Sequence, residues 1–276
     1  MIRLVFLLMM LGLSAQPVAS QEAPPSRPDM EVDQDRPPER PDEATSEPKA
    51  DTSATEAGSE TPSGQTDAFE SEPYGPPMPP GWYLARESDQ DFSACRLALS
   101  MLGTVYRIMP AVTEADDRDC GIARPIMVQR ILPDLELQGG AMMRCDTARA
   151  LALWARDFAR PAAATLPNAP RLTGFQLGTT YDCRARVGTG SSKRKLSEHA
   201  LGNAIDIMGF TFDGADPLQV SPREESGDQT EAFQRAVRGA ACLFFTTVLG
   251  PGANAAHDNH LHLDVAARRG GWRLCQ

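Results

Sequence analysis

Apolar residues recur at helical spacing in three stretches of the chain. The first stretch covers residues 92–102. The second begins at Asp146 and should end at Pro161, because a proline lacks the backbone donor that a helix interior needs. The third begins at Asp228, which has capping-box spacing with Glu231, and ends before a Gly-Pro-Gly run. The apolar positions of the second stretch are Ala148, Leu151, Ala152, Ala155 and Phe158. The third helix is predicted to bury Phe233, Ala236, Val237, Ala240, Leu243 and Phe244. The pattern therefore predicts three helices.

Three other segments have the composition of extended chain. Residues 174–184 are rich in Thr, Phe and Tyr, while residues 204–210 and 260–265 alternate in the way typical of strands. In the last segment, alternation would place the leucines and Val265 on one face and the histidines and Asp264 on the other. Helices together with short strands predict an α+β fold, in which helices pack on one face of a small antiparallel sheet.

The N-terminus has the features of a secretory signal peptide over residues 1–20. Arg3 precedes an apolar stretch at residues 4–13, and Val-Ala-Ser precedes the predicted cleavage site at Gln21. An uncleaved anchor is the alternative, although the apolar stretch is short for a bilayer crossing. No cysteine precedes Cys95, so the residue that a bacterial lipid anchor needs is missing. We therefore expect a periplasmic or otherwise exported protein without stable membrane insertion.

Charge separates a linker from a domain. Residues 21–80 contain 15 acidic residues, 4 basic residues and 13 of the 23 prolines, which predicts a disordered linker. Residues 81–276 contain 22 acidic and 22 basic residues and are long enough for one domain with its own core. The lack of a basic stripe argues against nucleic-acid binding, and the lack of long apolar runs argues against a protein with several membrane spans. The sequence leaves the oligomeric state open.

An even number of cysteines in an exported chain predicts a disulfide-stabilised fold. The six candidates are Cys95, Cys120, Cys145, Cys183, Cys242 and Cys275. Fifteen pairings are possible, of which we favour Cys242–Cys275 for one bond because it would hold the C-terminus against a helix. A thiolate metal site is the alternative, but no two cysteines have the two-residue spacing of zinc ribbons.

All four histidines lie in two short motifs, at residues 197–206 and 257–264. A turn at Gly202 would bring His199 back over the strand that carries Asp206, and a neighbouring strand would add one or both of His260 and His262. Two imidazoles, one carboxylate and an open position form a catalytic zinc site. Asp264 or Asp258 could orient a ligating imidazole. A buried hydrogen-bond cluster or a surface patch without metal is the alternative interpretation.

The motif Ser197-x-His-x-x-Gly-x-Ala-x-Asp206, followed by His257-x-x-His-x-His262, resembles the zinc D-Ala-D-Ala peptidases and murein endopeptidases. Their superfamily groups lysostaphin-type enzymes, D-Ala-D-Ala metallopeptidases and the hedgehog signalling domain. More closely, residues 95–275 resemble the bacterial extensin-like C-terminal domain family. The resembling segments are residues 181–184, 196–207, 241–252 and 257–264.

The resemblance implies a role for each motif residue. The zinc ligands would be His199, Asp206 and His262. His260 would sit beside the attacking water. His257 would polarise the substrate or stabilise the tetrahedral intermediate.

Arg184 and Ser197 would contact substrate, although a surface ion pair is an equally good interpretation of Arg184. Asn259 stands where many D-Ala-D-Ala dipeptidases have a glutamate base, which favours the histidine-assisted subgroup. The chain also has Arg186 and valine where the extensin-like family tends to have asparagine.

The resulting expectation is an exported zinc peptidase that hydrolyses amide bonds in peptidoglycan stem peptides or cross-links, as a D,D-endopeptidase or carboxypeptidase. The alternative is a non-catalytic cell-wall-binding or scaffold module that keeps Zn²⁺ for stability. An exported zinc amidase with another substrate cannot be separated from the first expectation by sequence.

Overall fold

The computed structural model describes residues 78–186, 195–223 and 226–276. The predicted signal peptide, residues 1–20, and all but the last three residues of the predicted linker, residues 21–80, lie outside these ranges. Among the described residues, no helix combines the length and the hydropathy that crossing a bilayer requires.

The domain alternates short helices with strands. The helices are α1 (Gly81–Leu84), α2 (Asp89–Met101), α3 (Cys145–Trp154), α4 (Arg160–Ala163) and α5 (Gln229–Ala241), with a π-helical turn at Ala155–Ala159 and 3-10 turns at Glu198–Leu201, Ala255–His257 and Arg269–Gly271. The strands are β1 (Val105–Ile108), β2 (Val112–Thr113), β3 (Gly121–Ile122), β4 (Pro125–Leu132), β5 (Leu135–Arg144), β6 (Arg171–Leu177), β7 (Ala204–Asp213), β8 (Leu218–Gln219), β9 (Thr247–Leu249), β10 (Leu261–Asp264) and β11 (Leu274–Cys275).

Nine of the described strands form one sheet, in the order β1-β4-β5-β6-β7-β10-β9-β11, with β8 paired to β7. β2 and β3 form a separate pair. The predicted α+β class is confirmed. The sheet, however, is larger than the small antiparallel sheet we predicted, and β5–β6 and β9–β11 are parallel pairs. The strands at the sheet edges have only two to four residues. That is too few for an alternation of apolar and polar positions to be recognised in the sequence.

One aromatic stack joins helices to sheet. The Trp154 ring of α3 stacks on Phe175 of β6 at 5.5 Å between centroids, and Trp154 Nε1 donates to the Val237 carbonyl of α5 at 2.9 Å. Phe210 of β7 lies edge-on between Phe175 and Phe233, at 5.8 and 5.0 Å. These rings are buried, so they fix α3 and α5 against the middle of the sheet.

The first helix prediction is confirmed by α2, but the second is wrong at its end. The chain continues through Pro161 to Ala163. A proline ring clashes with the preceding turn of a regular α-helix. The wider π-helical turn at Ala155–Ala159 comes just before the proline, so the ring is accommodated without ending the helix.

The third helix begins as predicted, because the Asp228 side chain accepts from the Glu231 amide at 2.7 Å. It ends early, at Ala241. Beyond that point the Arg273 guanidinium binds the free carbonyls of Cys242 and Phe245, at 3.0 and 2.6 Å. Contrary to our prediction, therefore, Leu243 is 63% exposed. Ala236 is exposed as well, so the apolar face of the helix is narrower than its sequence suggested.

The extended segment predicted at residues 174–184 is a strand only as far as Leu177. Beyond Leu177 the chain turns towards β7: the Gly178 amide donates to the Asp206 carbonyl, and the Asp206 amide donates to the Thr179 carbonyl, each at 2.9 Å. These bonds place the loop after Leu177 against the strand residue Asp206.

All six cysteines are paired, as predicted. The bonds are Cys95–Cys145, Cys120–Cys183 and Cys242–Cys275, and no cysteine is free. The favoured third pairing is therefore present and ties the end of α5 to the C-terminal strand. The thiolate metal alternative is excluded, because a sulfur in a disulfide is not a thiolate. Three disulfides are typical of proteins that fold outside the cytoplasm.

Candidate metal centre

Two adjacent antiparallel strands carry two of the three residues that meet at the site. In the β7–β10 pair, His262 lies directly opposite Asp206. The flanking residues Leu261 and Leu263 are fully buried in the core. Because successive side chains of a strand point to opposite faces, the imidazole and the carboxylate share the face away from those leucines.

A tight turn brings the third residue to the same place. His199 lies in the 3-10 turn Glu198–Leu201, whose first residues are held by the Ser197 hydroxyl, which accepts from the His199 amide at 3.4 Å. The chain then reverses at Gly202, whose φ is 67°. A Cβ there would lie 2.4 Å from Ile122 Cδ1, so only glycine fits the reversal. The turn places the His199 ring over β7, as the sequence predicted.

Three ligand atoms meet at one point. His199 Nε2 lies 3.1 Å from His262 Nδ1 and 3.2 Å from Asp206 Oδ1, and the last two atoms are 3.0 Å apart. Zinc–nitrogen and zinc–oxygen bonds of about 2.1 Å in a tetrahedron give ligand separations of roughly 3.4 Å. The triangle formed by the protein atoms is close to one face of such a tetrahedron, so these residues fit a zinc ion.

Both imidazoles are oriented from behind. His199 Nδ1 donates to the Thr180 carbonyl at 2.8 Å, and His262 Nε2 donates to Asp264 Oδ2 at 3.2 Å. Each outer acceptor keeps the proton on the remote nitrogen, so the lone pairs of the two inner nitrogens face Asp206. With both rings neutral, the three inner atoms are all acceptors and repel one another, unless a metal ion or a proton on His262 lies among them. Of the two carboxylates that the sequence left open, Asp264 supplies the support and Asp258 does not.

The charges of the cluster favour a cation. Burial opposes ionisation of Asp206, but hydrogen bonds from His199 and His262 outweigh it and lower the pKa of the carboxyl. Burial likewise disfavours the charged form of His262, yet Asp206 and Asp264 raise its pKa to about 9. His199 is fully buried and Asp206 is 4% exposed, so little solvent screens these interactions. A proton or a metal ion is therefore strongly attracted to this point.

The other two histidines lie beside the cluster. His260 Nε2 is 3.7 Å from Asp206 Oδ1, and the His257 and His260 rings are 5.2 Å apart. The Nδ1 atoms of both are held by asparagine side chains: His260 donates to Asn259 at 2.9 Å and His257 donates to Asn254 at 2.8 Å. Burial lowers the pKa of both rings. Lower pKa values favour the neutral rings, and in the described part of the chain neither Nε2 has a hydrogen-bond partner.

A cavity of about 340 Å³ opens onto the cluster. Its wall includes Asp206, His257, His260 and His262 together with Ser197 and Arg184, so the structure brings every predicted site residue except the fully buried His199 to one cavity. Arg184 forms an ion pair with Asp182 at 2.9 Å, which is the alternative interpretation weighed for it. Ser197 also serves as the cap of the turn described above.

A polar network behind the turn was not foreseen. Arg144 donates to Glu87 Oε1 at 2.8 Å and to Asn203 Oδ1 at 2.7 Å, and Asn203 in turn donates to Glu198 Oε2 at 2.8 Å. Arg186 binds the other oxygen of Glu198. The network joins the segment just before helix α2 to the turn that carries His199. No local pattern marks it, because its members come from four distant parts of the chain.

We expect Arg144→Met to lower the free energy of unfolding by about 3 kcal/mol, since it leaves the Glu87 carboxylate buried without its partner. The Glu87 side chain is only 3% exposed. Denaturant unfolding with disulfides intact measures the change. The control is Arg149→Met, which breaks an exposed pair with Asp146 and should cost less than about 1 kcal/mol. Equal losses in the two variants would show that the buried network does not contribute.

Comparison with known proteins gives one result. A model of the family described as "Extensin-like protein C-terminus" matches residues 93–276, well over half of the chain. No curated protein and no solved structure matches the chain. The match includes both histidine motifs and all six cysteines.

Proposed function

The chain belongs to the extensin-like protein C-terminus family, and we propose that it is an exported zinc peptidase that hydrolyses amide bonds in peptidoglycan. The observation that carries the proposal is the buried contact of three acceptors, His199 Nε2, Asp206 Oδ1 and His262 Nδ1, within 3.2 Å of one another. Such an arrangement attracts either a proton or a metal ion, and it matches the ligand set of catalytic zinc sites, which leave one position open.

Two further points support this choice of substrate. The three disulfides place the protein outside the cytoplasm, and we propose the periplasm in particular. Peptidoglycan is the abundant amide-linked polymer there. The histidine motifs also resemble those of zinc D-Ala-D-Ala peptidases and murein endopeptidases, and we propose that the likeness reflects shared chemistry.

The site residues would have two kinds of role: some would bind the zinc ion, and others would take part in proton transfer or stabilise charge. His199, Asp206 and His262 would hold the zinc ion, which when bound lowers the pKa of water and polarises a carbonyl. His260 and Asp206 line the same cavity, with His260 Nε2 3.7 Å from Asp206 Oδ1, so the neutral ring can accept the proton of the attacking water at Nε2. The same nitrogen can return the proton to the leaving amine. The His257 ring lies 5.2 Å from that of His260, and it would stabilise negative charge on the substrate oxygen only when its Nε2 carries a proton.

The proposal is tested with purified muropeptides and the full mature chain. We expect loss of cross-linked or pentapeptide species with the zinc-loaded protein, no loss after chelator treatment, and recovery when zinc is restored. Chromatography of the muropeptides measures the change, and metal analysis of the purified protein gives its zinc content. Intact amide bonds across several stem types, with a full complement of zinc, would overturn the proposed hydrolysis.

A further inference from the structure

Three arginines line the cavity: Arg184, Arg186 and Arg268. The first two have carboxylate partners within the protein, in Asp182 and Glu198. Arg268 has none within 4 Å among the residues that the structure describes. The cavity beside the histidines therefore contains one guanidinium whose charge the described part of the chain leaves unneutralised.

The Arg268 side chain is nevertheless held in place. Its Nη2 donates to the Thr247 hydroxyl, and its Cζ lies 5.0 Å from the centroid of the Trp272 ring. Its Nε is buried and has no hydrogen-bond partner among the described residues. A guanidinium has five N–H donors, so most of them remain available to a planar anion. Because Nε is buried, the donors left for an anion are those of Nη1 and the remaining one of Nη2.

Arg268 is also close to the metal cluster. Thr247, which accepts from Arg268, is the cross-strand partner of Asp264 in the β9–β10 pair, and Asp264 is the residue that orients His262. Thr247, Asp264 and Arg268 all line the same cavity. An anion bound by Arg268 would thus lie on the same wall as His262, within a cavity small enough to bring it near the scissile bond.

We infer that Arg268 binds a carboxylate of the substrate, on the carbon that bears the leaving nitrogen. The inference rests on the proposed function and specifies its substrate. A terminal D-Ala-D-Ala bond and a D-Ala–diaminopimelate cross-link, the two bond types left open above, share this free carboxylate. The bidentate geometry of a guanidinium suits a carboxylate better than a neutral amide. Arg268 is thus a specificity-determining residue.

Binding to chelator-treated protein tests the inference without turnover. The probes are diacetyl-L-Lys-D-Ala-D-Ala and its C-terminal amide, measured by isothermal titration calorimetry. We expect the wild-type protein to bind the free acid about 10- to 100-fold more tightly than the amide, since hydrogen bonds between charged groups are the strong ones. Arg268→Gln should abolish that preference, and Arg268→Lys should restore part of it. Arg269→Gln removes the same charge from an exposed neighbour and should keep the preference.

Hydrolysis by the zinc-loaded protein provides a second readout. With the free acid as substrate, Arg268→Gln should raise KM by a similar factor and change kcat less, while the zinc content stays normal. Equal binding of acid and amide by the wild-type protein, or no binding of either, would overturn the inference. A preference for the acid without cleavage of any substrate would instead contradict the proposed hydrolysis and leave the role of Arg268 standing.

Discussion

Replacement of His262 by alanine is expected to lower the affinity for zinc about 1000-fold. Protein zinc sites bind the ion with roughly 10–16 kcal/mol, so one of three protein ligands accounts for about 4 kcal/mol. His262 is central to the site because its Nδ1 contacts both His199 and Asp206 while its Nε2 contacts Asp264. Competition with a chelating dye measures the affinity, and elemental analysis after dialysis measures the retained zinc.

A graded series of variants separates ligation from general damage to the fold. Asp264→Asn removes the charge that orients His262 but leaves the ligand, so its zinc affinity should fall by only about 10- to 100-fold. His260→Ala should leave zinc affinity nearly unchanged, although His260 lies beside the same carboxylate. If His262→Ala binds zinc as tightly as the wild-type protein, with an unchanged unfolding transition, His262 is not a ligand and the proposed centre is wrong.

The positions of His199, Asp206 and His262 could be predicted in part from the sequence, because part of their geometry follows from local rules. Alternation along β10 places His262 and Asp264 on the face opposite the buried Leu261 and Leu263. The glycine at position 202 marks the chain reversal that returns His199 to β7. These local signals do not give the pairing of β7 with β10, which brings Asp206 beside His262 across 56 residues.

The rest of the site depends on contacts between distant segments. Arg144 meets Glu87 and Asn203 across 57 and 59 residues, and Arg268 meets Thr247 across 21. A single arginine in a sequence gives no sign of whether a carboxylate will lie beside it in the fold. For this reason the sequence directed attention to Arg184, by resemblance, whereas the structure distinguishes Arg268 because it has no carboxylate partner among the described residues.

Two errors in the predicted fold concern the residues at which the second and third helices end. The prediction that the second helix ends at Pro161 applied a rule for regular α-helices, and a π-helical turn, which has no sequence signature, made the rule inapplicable. The third helix was predicted too long because Arg273, more than thirty residues beyond Ala241, binds the carbonyls at its end. Local periodicity therefore located the helices, while a π-helical turn in one and a distant arginine in the other account for the errors at their ends.

The second large effect is expected for His260→Ala, which should lower turnover about 100- to 10,000-fold, the usual contribution of a positioned acid–base group. His260 is not among the three converging ligand atoms, so the zinc content should stay near that of the wild-type protein. Its Nδ1 is held by Asn259, which leaves Nε2 as the atom that accepts the proton. Hydrolysis of muropeptides and metal analysis of the same sample measure the two quantities together.

A second substitution distinguishes proton transfer from hydrogen bonding. His260→Gln keeps a hydrogen-bond donor near Asp206 but cannot take up a proton at neutral pH, so it should be about as slow as His260→Ala if His260 is the base. Recovery of activity in His260→Gln would instead assign this position to stabilising the substrate oxygen. The alternative hypothesis for the same site is a non-catalytic cell-wall-binding or scaffold module. If His260→Ala binds zinc and fully complements a deletion of its gene, the cluster serves binding or stability and the hydrolytic role must be abandoned.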